Sequence, residues 1–190
     1  MAAKQVTKQT PPIRIGVIAD THGYLDPQVL AIFAGVDLVI HAGDIVDSAT
    51  LTALKEVAPL TAVAGNVDPA DLAASLLREA TGEGGGVSVV VSHKRKRLLK
   101  RLAAGKIAFG AAGATPDLVV FGHEHVPSAV WVESTLFLNP GTASSPEEED
   151  DGPTVAIVEA EPTGLAVRFV PLRRRSEAEV AASLKAAPES

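Results

Sequence analysis

The chain has 190 residues, 46% of them hydrophobic and only 4% aromatic, with a formal net charge of −6 and no cysteine. Such a length supports one well-buried domain with a core of Val, Leu, Ile and Ala. The acidic balance argues against a general nucleic-acid coat, and the missing thiols exclude disulfides, zinc-thiolate sites and a cysteine nucleophile. The first residues lack the apolar core of a secretory signal, and no apolar run approaches the roughly 20 residues that span a bilayer. A soluble, cytoplasmic protein with no membrane partner is expected.

Residues 1–11 are polar and unpatterned and read as a flexible tail; a single domain is expected over 12–190. A strand at 13–19 leads to a helix opened by Asp26 as N-cap and Pro27 at the first helical position. A strand at 37–40, a helix at 48–57 and a strand at 60–64 follow. Asp68-Pro69 repeats the cap-plus-proline start for a helix expected to run to about Ala80. This alternation implies right-handed crossovers and a largely parallel first sheet. Residues 82–86 read as a flexible turn feeding a strand at 87–92, then a short helix at 98–104 and a strand at 118–121. Strand-like runs at 129–132, 135–138, 154–160 and 165–170 resemble an antiparallel sheet, the acidic stretch 147–152 an exposed mobile loop, and 176–186 a closing helix.

The chemistry lies where the strands end. Asp20-Thr21-His22 follows the first strand and His41-Ala42-Gly43-Asp44 the second. Gly65-Asn66-Val67-Asp68 follows the third, and His93 and Gly122-His123-Glu124-His125 follow two later ones. Strand C-termini are where open α/β sheets build their binding crevices. In extended backbone, residues two apart face the same side, so Asp20 with His22, and His123 with His125, are each expected to face one ion together. Asp44 offers two oxygens with which to bridge two ions, and Asn66 a neutral carbonyl oxygen. A donor set of nitrogen and oxygen without sulfur suits Mn, Fe, Co, Ni or Zn better than Ca or Mg. Taken singly, these residues read as turns, caps and buried core histidines. Their joint occurrence, each directly after a strand, favours a site for two divalent ions.

In this order, D-x-H, G-D, G-N, H and G-H-x-H, the motifs resemble the calcineurin-like metallophosphoesterase superfamily. They are most similar to its small single-domain bacterial and archaeal phosphodiesterase branch. The resemblance runs from Ile13 to about Val170 and includes Asn139-Pro140-Gly141-Thr142, where the branch has N-P-G-S. It implies an α/β fold, a four-layer α/β/β/α sandwich of two mixed sheets. It also implies one metal held by Asp20, His22 and His125, a second by Asn66, His93 and His123, and Asp44 between them. The implied activity is hydrolysis of phosphodiester bonds by a water shared between two divalent ions, with manganese foremost and Ni, Co, Fe or Zn as alternatives. A small phosphodiester or nucleotide is the expected substrate, with homo-oligomers common among similar proteins. Asp44, Asn66 and His41 are the catalytic candidates, His41 as a residue that orients Asp44 or a water. Phosphomonoesterase and nuclease activities are alternatives on the same site. So is a non-catalytic scaffold, since a eukaryotic retromer subunit uses this fold chiefly for protein interaction.

Three positions depart from the family pattern. Val67 stands where many members carry a histidine that contacts the phosphate; the small branch often lacks it too, which favours diesters with good leaving groups. Lys94 replaces the glycine of the branch's H-G-H, and Glu124 replaces threonine, with its side chain expected to point away from the metals. Residues 94–101 hold six cations, with Leu98, Leu99 and Leu102 along one helical face. That pattern fits a solvated amphipathic helix or, beside a metal ligand, a basic rim that steers phosphates. No aromatic is interleaved for stacking nucleic-acid bases.

Overall fold

The structure, a computed structural model, describes residues 12–84, 86–104, 115–144, 152–161 and 164–173. The expected tail at 1–11, residues 147–151 of the acidic loop and the closing helix at 176–186 lie outside the described residues. β1 (Ile13–Ile18), β2 (Leu38–His41) and β3 (Leu60–Ala62) pair in parallel, with Ile18 opposite His41 and His41 opposite Ala62. α1 (Pro27–Ile32) and α2 (Ser48–Val57) make the crossovers. Both helices start as their sequences dictate: Asp26 accepts from the Gln28 N–H at 2.8 Å, ahead of Pro27, and Asp47 accepts from the Ala49 N–H at 2.9 Å.

The second sheet is built from β4 (Ala80–Gly84), β5 (Val87–Val91), β6 (Leu118–Val120), β7 (Ser128–Val132) and β8 (Thr135–Asn139). Its strand order is β4-β5-β6-β8-β7. β9 (Thr154–Glu161) and β10 (Gly164–Pro171) return to the first sheet, which runs β10-β9-β1-β2-β3. The later strands therefore do not form a separate antiparallel sheet. Each sheet is mixed, because β9 pairs antiparallel with β1 while β8 pairs parallel with β6.

Alternation along the strands explains the layers. Ile15 and Val17 on β1, Val89 and Val91 on β5, Leu118 and Val120 on β6, and Val158 on β9 form one cluster between the sheets. The intervening residues face outward: Ile18, Val39 and Ile157 pack under Phe33 and Leu54 of the first helical layer. Val90 and Val119 pack under Leu98 of α4 (Arg95–Ala103). Helices on the outside of two face-to-face sheets give the expected four-layer sandwich. Each fully buried Leu, Ile or Val contributes about 1.5–3 kcal/mol of hydrophobic stabilisation.

Two expectations fail between β3 and β5. α3 spans only Ala70–Ser75, and the chain then extends, with Leu76 at φ −117°, ψ 152°. Val63 forms a bridge to Leu77, and residues read as helix end and flexible turn become β4, an edge strand paired with β5 from Ala80↔Val91 to Gly84↔Val87. Its run ATGEG has almost no apolar side chain, so backbone pairing rather than burial makes it a strand. α4 also begins at Arg95, three residues before the expected start, because Lys94 and Arg95 carry no apolar signal yet continue the turn that buries Leu98.

Candidate metal centre

Parallel pairing brings the ends of β1, β2 and β3 side by side, and the loops that follow are clasped by backbone bonds. The Asp20 N–H donates to the Gly43 carbonyl and the His22 N–H to the Asp44 carbonyl, each at 3.0 Å. β5 and β6 deliver His93 and His123 from the facing sheet, where the Gly122 N–H donates to the His93 carbonyl at 3.1 Å. Seven residues named from the sequence thus converge on one edge of the sandwich.

They do so through an unexpected backbone. Asp20 (φ 54°), His22 (47°), Asp44 (55°), His123 (71°) and His125 (56°) are all left-handed, a conformation that disfavours side chains. Each costs about 1–3 kcal/mol and persists where the surroundings enforce it, as at functional sites. The extended geometry expected for the D-x-H and H-x-H triplets is therefore absent. Asp20 and His22 still share a group, but His123 and His125 separate because each left-handed bend re-aims its side chain.

Two groups result: Asp20, His22 and His125, and Asp44, His93 and His123, with the donor atoms of each within 4.8 Å of one another. In the first, the Nε2 atoms of His22 and His125 are 3.3 Å apart, and His125 Nε2 is 3.6 Å from Asp20 Oδ1. In the second, His93 Nε2 lies 3.2 Å from Asp44 Oδ2 and 3.1 Å from Asn66 Oδ1, which adds Asn66 to that group. The groups adjoin, since Asp20 Oδ1 is 4.0 Å from His93 Nδ1. Asp20, Asp44 and His93 are buried, whereas His22, His123 and Asn66 are exposed. The centre has a dry floor and an open rim.

Each donor is aimed by the groups behind it. His93 Nδ1–H donates to the Ala42 carbonyl at 2.9 Å, leaving Nε2 to face the centre. Asp44 Oδ1 accepts from the N–H groups of Asn66 (2.6 Å) and Val67 (3.0 Å), so Oδ2 alone turns inward. Of the two oxygens from which a bridge was expected, Oδ1 is already shared with two backbone amides. Asp20 Oδ2 accepts from the His123 N–H at 3.0 Å, and the Asp20 carbonyl accepts from the Thr142 hydroxyl at 2.9 Å. Asn139 braces the neighbouring turn, with its Nδ2 donating to Gly122 at 3.3 Å and its Oδ1 accepting from the Gly141 N–H at 3.0 Å. Gly65 is required by close approach: a Cβ there would collide with the Asp44 carboxylate and backbone nitrogen.

Charge follows from these contacts. Burial, the largest influence on Asp44, pushes its carboxyl up, but hydrogen bonds from His93 and from the Val67 and Asn66 amides outweigh it and bring it down to about 2. Burial works to lower His93, yet the Asp44 hydrogen bond and charge raise it above the ordinary imidazole value. Burial, with His93 and Lys94, lowers His123. Asp44 and His93 thus stabilise one another's charged forms. Nitrogen and oxygen donors converging from separate loops, with their other atoms engaged by backbone, fit a borderline divalent ion.

His41 is a different case. It is fully buried, accepts from the Gly43 N–H at Nδ1 (3.2 Å) and lies 3.1 Å from Thr21 Oγ1 through Nε2. Burial holds its pKa down to about 4. Both ring nitrogens are engaged within the Asp20 and Asp44 loops, so His41 stands behind the donors, as a residue that would orient Asp44 rather than meet an ion. Asp68 is also displaced from its expected role: Pro69 takes the N-cap position, with no side-chain cap bond. Its carboxylate instead accepts from the N–H groups of Ile45 (2.6 Å), Val46 (2.7 Å) and Gly65 (2.7 Å), tying the Asp44 loop to the Asn66 loop. A carboxylate two residues beyond Gly-Asn was the signal for this role, masked by the proline that follows. Glu124 turns to Arg95, at 3.3 Å.

The calcineurin-like phosphoesterase superfamily domain matches residues 13–163. The chain belongs to this superfamily. This metallophosphoesterase is 35% identical over 139 residues to a probable metallophosphoesterase of Methanocaldococcus jannaschii, covering 70% of this chain and 69% of the relative. Among solved structures, an archaeal phosphodiesterase superposes with a TM-score of 0.64 at 22% identity, over 83% of this chain and 100% of that one. Vacuolar protein sorting 29 of Cryptosporidium parvum superposes with a TM-score of 0.67 at 18% identity, over 86% and 93%. Both solved structures share the fold, and the family's metal dependence agrees with the two donor groups found at the strand ends.

Proposed function

We propose that this metallophosphoesterase is a dinuclear metal-dependent phosphodiesterase acting on small phosphodiesters or nucleotides. One observation carries the reading: two separate nitrogen-and-oxygen donor groups, Asp20, His22 and His125 beside Asp44, His93 and His123, stand at neighbouring strand ends on one edge. Asp20, His22 and His125 would hold one ion and Asn66, His93 and His123 the other, with Asp44 Oδ2 between them. Manganese is the first choice for this donor set, ahead of Ni, Co, Fe or Zn. When bound, such a pair supplies Lewis-acid charge for the phosphoryl oxygens and for ionising a water.

The residues themselves do the rest. Asp20 and Asp44 balance positive charge on the buried floor, and the backbone bonds behind each donor fix its direction before substrate arrives. The exposed rim of His22, His123 and Asn66 leaves room for the phosphate. Val67, 48% exposed, offers no proton where a leaving-group acid would stand. Esters with good leaving groups, or strained cyclic diesters, are therefore preferred over alkyl monoesters and nucleic acid.

The test is hydrolysis of bis-p-nitrophenyl phosphate by the metal-loaded protein. Manganese-stimulated turnover should fall at least a hundredfold in Asp44→Ala and Asn66→Ala, in the manner of lost transition-state contacts. Undiminished turnover in either variant, or after exhaustive chelation, would sink the proposal. A second reading, a protein-interaction scaffold, draws on the likeness to vacuolar protein sorting 29 and on the apolar edge strand β7, where Val130, Trp131 and Val132 are each about half exposed. A protein that binds metal yet is inert toward diesters, monoesters and oligonucleotides would favour it.

A further inference from the structure

A cavity of about 290 Å³ opens beside Asn66 and His93, and its lining includes Ala64, Gly65, Ser92 and three cations, Arg78, Lys94 and Arg97. Among the described residues no acidic side chain lines it. The basic run at 94–101 divides by what its members touch. Arg95 lies 3.3 Å from Glu124 and over the Phe121 ring, and Arg101 lies 3.0 Å from Glu79. Lys96 and Lys100 face solvent as the amphipathic pattern expects. Arg78, Lys94 and Arg97 have no carboxylate partner among the described residues. Three unneutralised cations around one concavity create a strong local preference for anions.

We propose that Arg78, Lys94 and Arg97 form a subsite for a second phosphate group of the substrate, next to the phosphate held at the Asn66–His93 group. This rests on the phosphodiesterase reading. It narrows the substrate class to phosphoesters bearing another phosphate near the scissile one. Guanidinium forks recognise phosphate in two-point contacts, and lysine adds a point charge. The size sets the other limit. Pockets that enclose a drug-sized ligand measure roughly 300–1,000 Å³, so this one takes a phosphorylated fragment, not a base stack. Apart from His93, no aromatic ring lines it, which speaks for a nucleotide-sized ligand over a single strand.

Two measurements test it on the full chain. In the first, thymidine 3′,5′-bisphosphate is titrated into chelator-treated protein by calorimetry. Binding should weaken about tenfold in Lys94→Ala/Arg97→Ala, consistent with loss of partly exposed charge-assisted bonds, and should weaken further with salt. In the second, kcat/KM is compared for thymidine 5′-(p-nitrophenyl phosphate) with and without a 3′-phosphate. The ratio should favour the phosphorylated substrate by about tenfold and fall toward one in the double variant. Reading a ratio cancels any general loss of activity, and Arg97→Ala alone, on the exposed face of α4, repeats the test away from His93. A ratio near one in the unmodified protein, or one indifferent to both substitutions, overturns the subsite. So does a thymidine oligomer that binds far more tightly than the bisphosphate, which would point to nucleic acid instead. Bisphosphate binding that responds to the substitutions in a protein inert toward both esters supports the subsite while removing the phosphodiesterase reading.

Discussion

Asp68 offers a demanding test, because it touches no proposed ligand side chain yet holds two ligand loops together. Its carboxylate takes three backbone N–H groups, from Ile45, Val46 and Gly65, at 2.6–2.7 Å. A hydrogen bond to a charged group contributes about 1.5–3 kcal/mol. The site is only part-buried, so water replaces some of what is lost. Asp68→Ala is then expected to lower unfolding free energy by about 3 kcal/mol, read from urea denaturation of the chelated protein. Asp68→Asn should cost less, about 1–2 kcal/mol, because its amide oxygen still serves two of the three donors while its NH₂ opposes the third. Freed from this tie, the Asp44 and Asn66 loops lose their mutual position, and metal affinity should drop by about 10- to 100-fold. Calorimetric titration with Mn²⁺ reads that loss, with Asp68→Asn between wild type and alanine. Unchanged affinity in a correctly folded Asp68→Ala protein would refute the tie, as would a metal affinity that falls with no loss of stability.

Two further predictions concern protons. His41 has a folded pKa of about 4 against about 6.5 unfolded, so below pH 6.5 the unfolded state binds the proton preferentially. Its contribution should therefore vanish as pH falls from about 6.5 to 4, costing the metal-free protein up to about 3 kcal/mol. His41→Gln should flatten that part of the urea-measured profile, and parallel profiles would contradict the assignment. His93 is raised by Asp44, so a fraction of the metal-free protein carries a proton there that a metal must displace. Mn²⁺ affinity should rise with pH through the His93 titration, with proton release visible as buffer-dependent enthalpy; Asp44→Asn should shrink that release.

How the chain announces this site depends on the kind of information each residue carries. Asp20, Asp44, Asn66 and the paired histidines were legible because each follows an apolar strand, and β1, β2, β5 and β6 announce themselves by burial. β4 was not, since an edge strand of ATGEG has no hydrophobic face to display. The left-handed backbone at Asp20, His22 and His125 was equally hidden: nothing in a D-x-H triplet distinguishes an extended pair from two bends imposed by a neighbouring loop. The role of Asp68 is hidden because Asp-Pro is a sound helix start in isolation, and only the spatial approach of the Asp44 loop gives its carboxylate better partners. The assignment of β9 to the first sheet rests on pairing such as Ile15↔Val158, a relation no local window contains.

That pairing also governs when the centre comes into being. Asp20 is the earliest of the proposed ligands in the chain, but its strand is completed on one side by β9, and its carbonyl is gripped by Thr142. Neither partner exists on the ribosome until more than a hundred further residues have been made. Contacts of such long range close late and slowly. A nascent or truncated chain ending before β9 would display all five histidines without the strand that completes their frame, and any metal it caught would be held loosely. The centre should be among the last features to mature, which makes metal uptake a readout of completed folding rather than a seed for it.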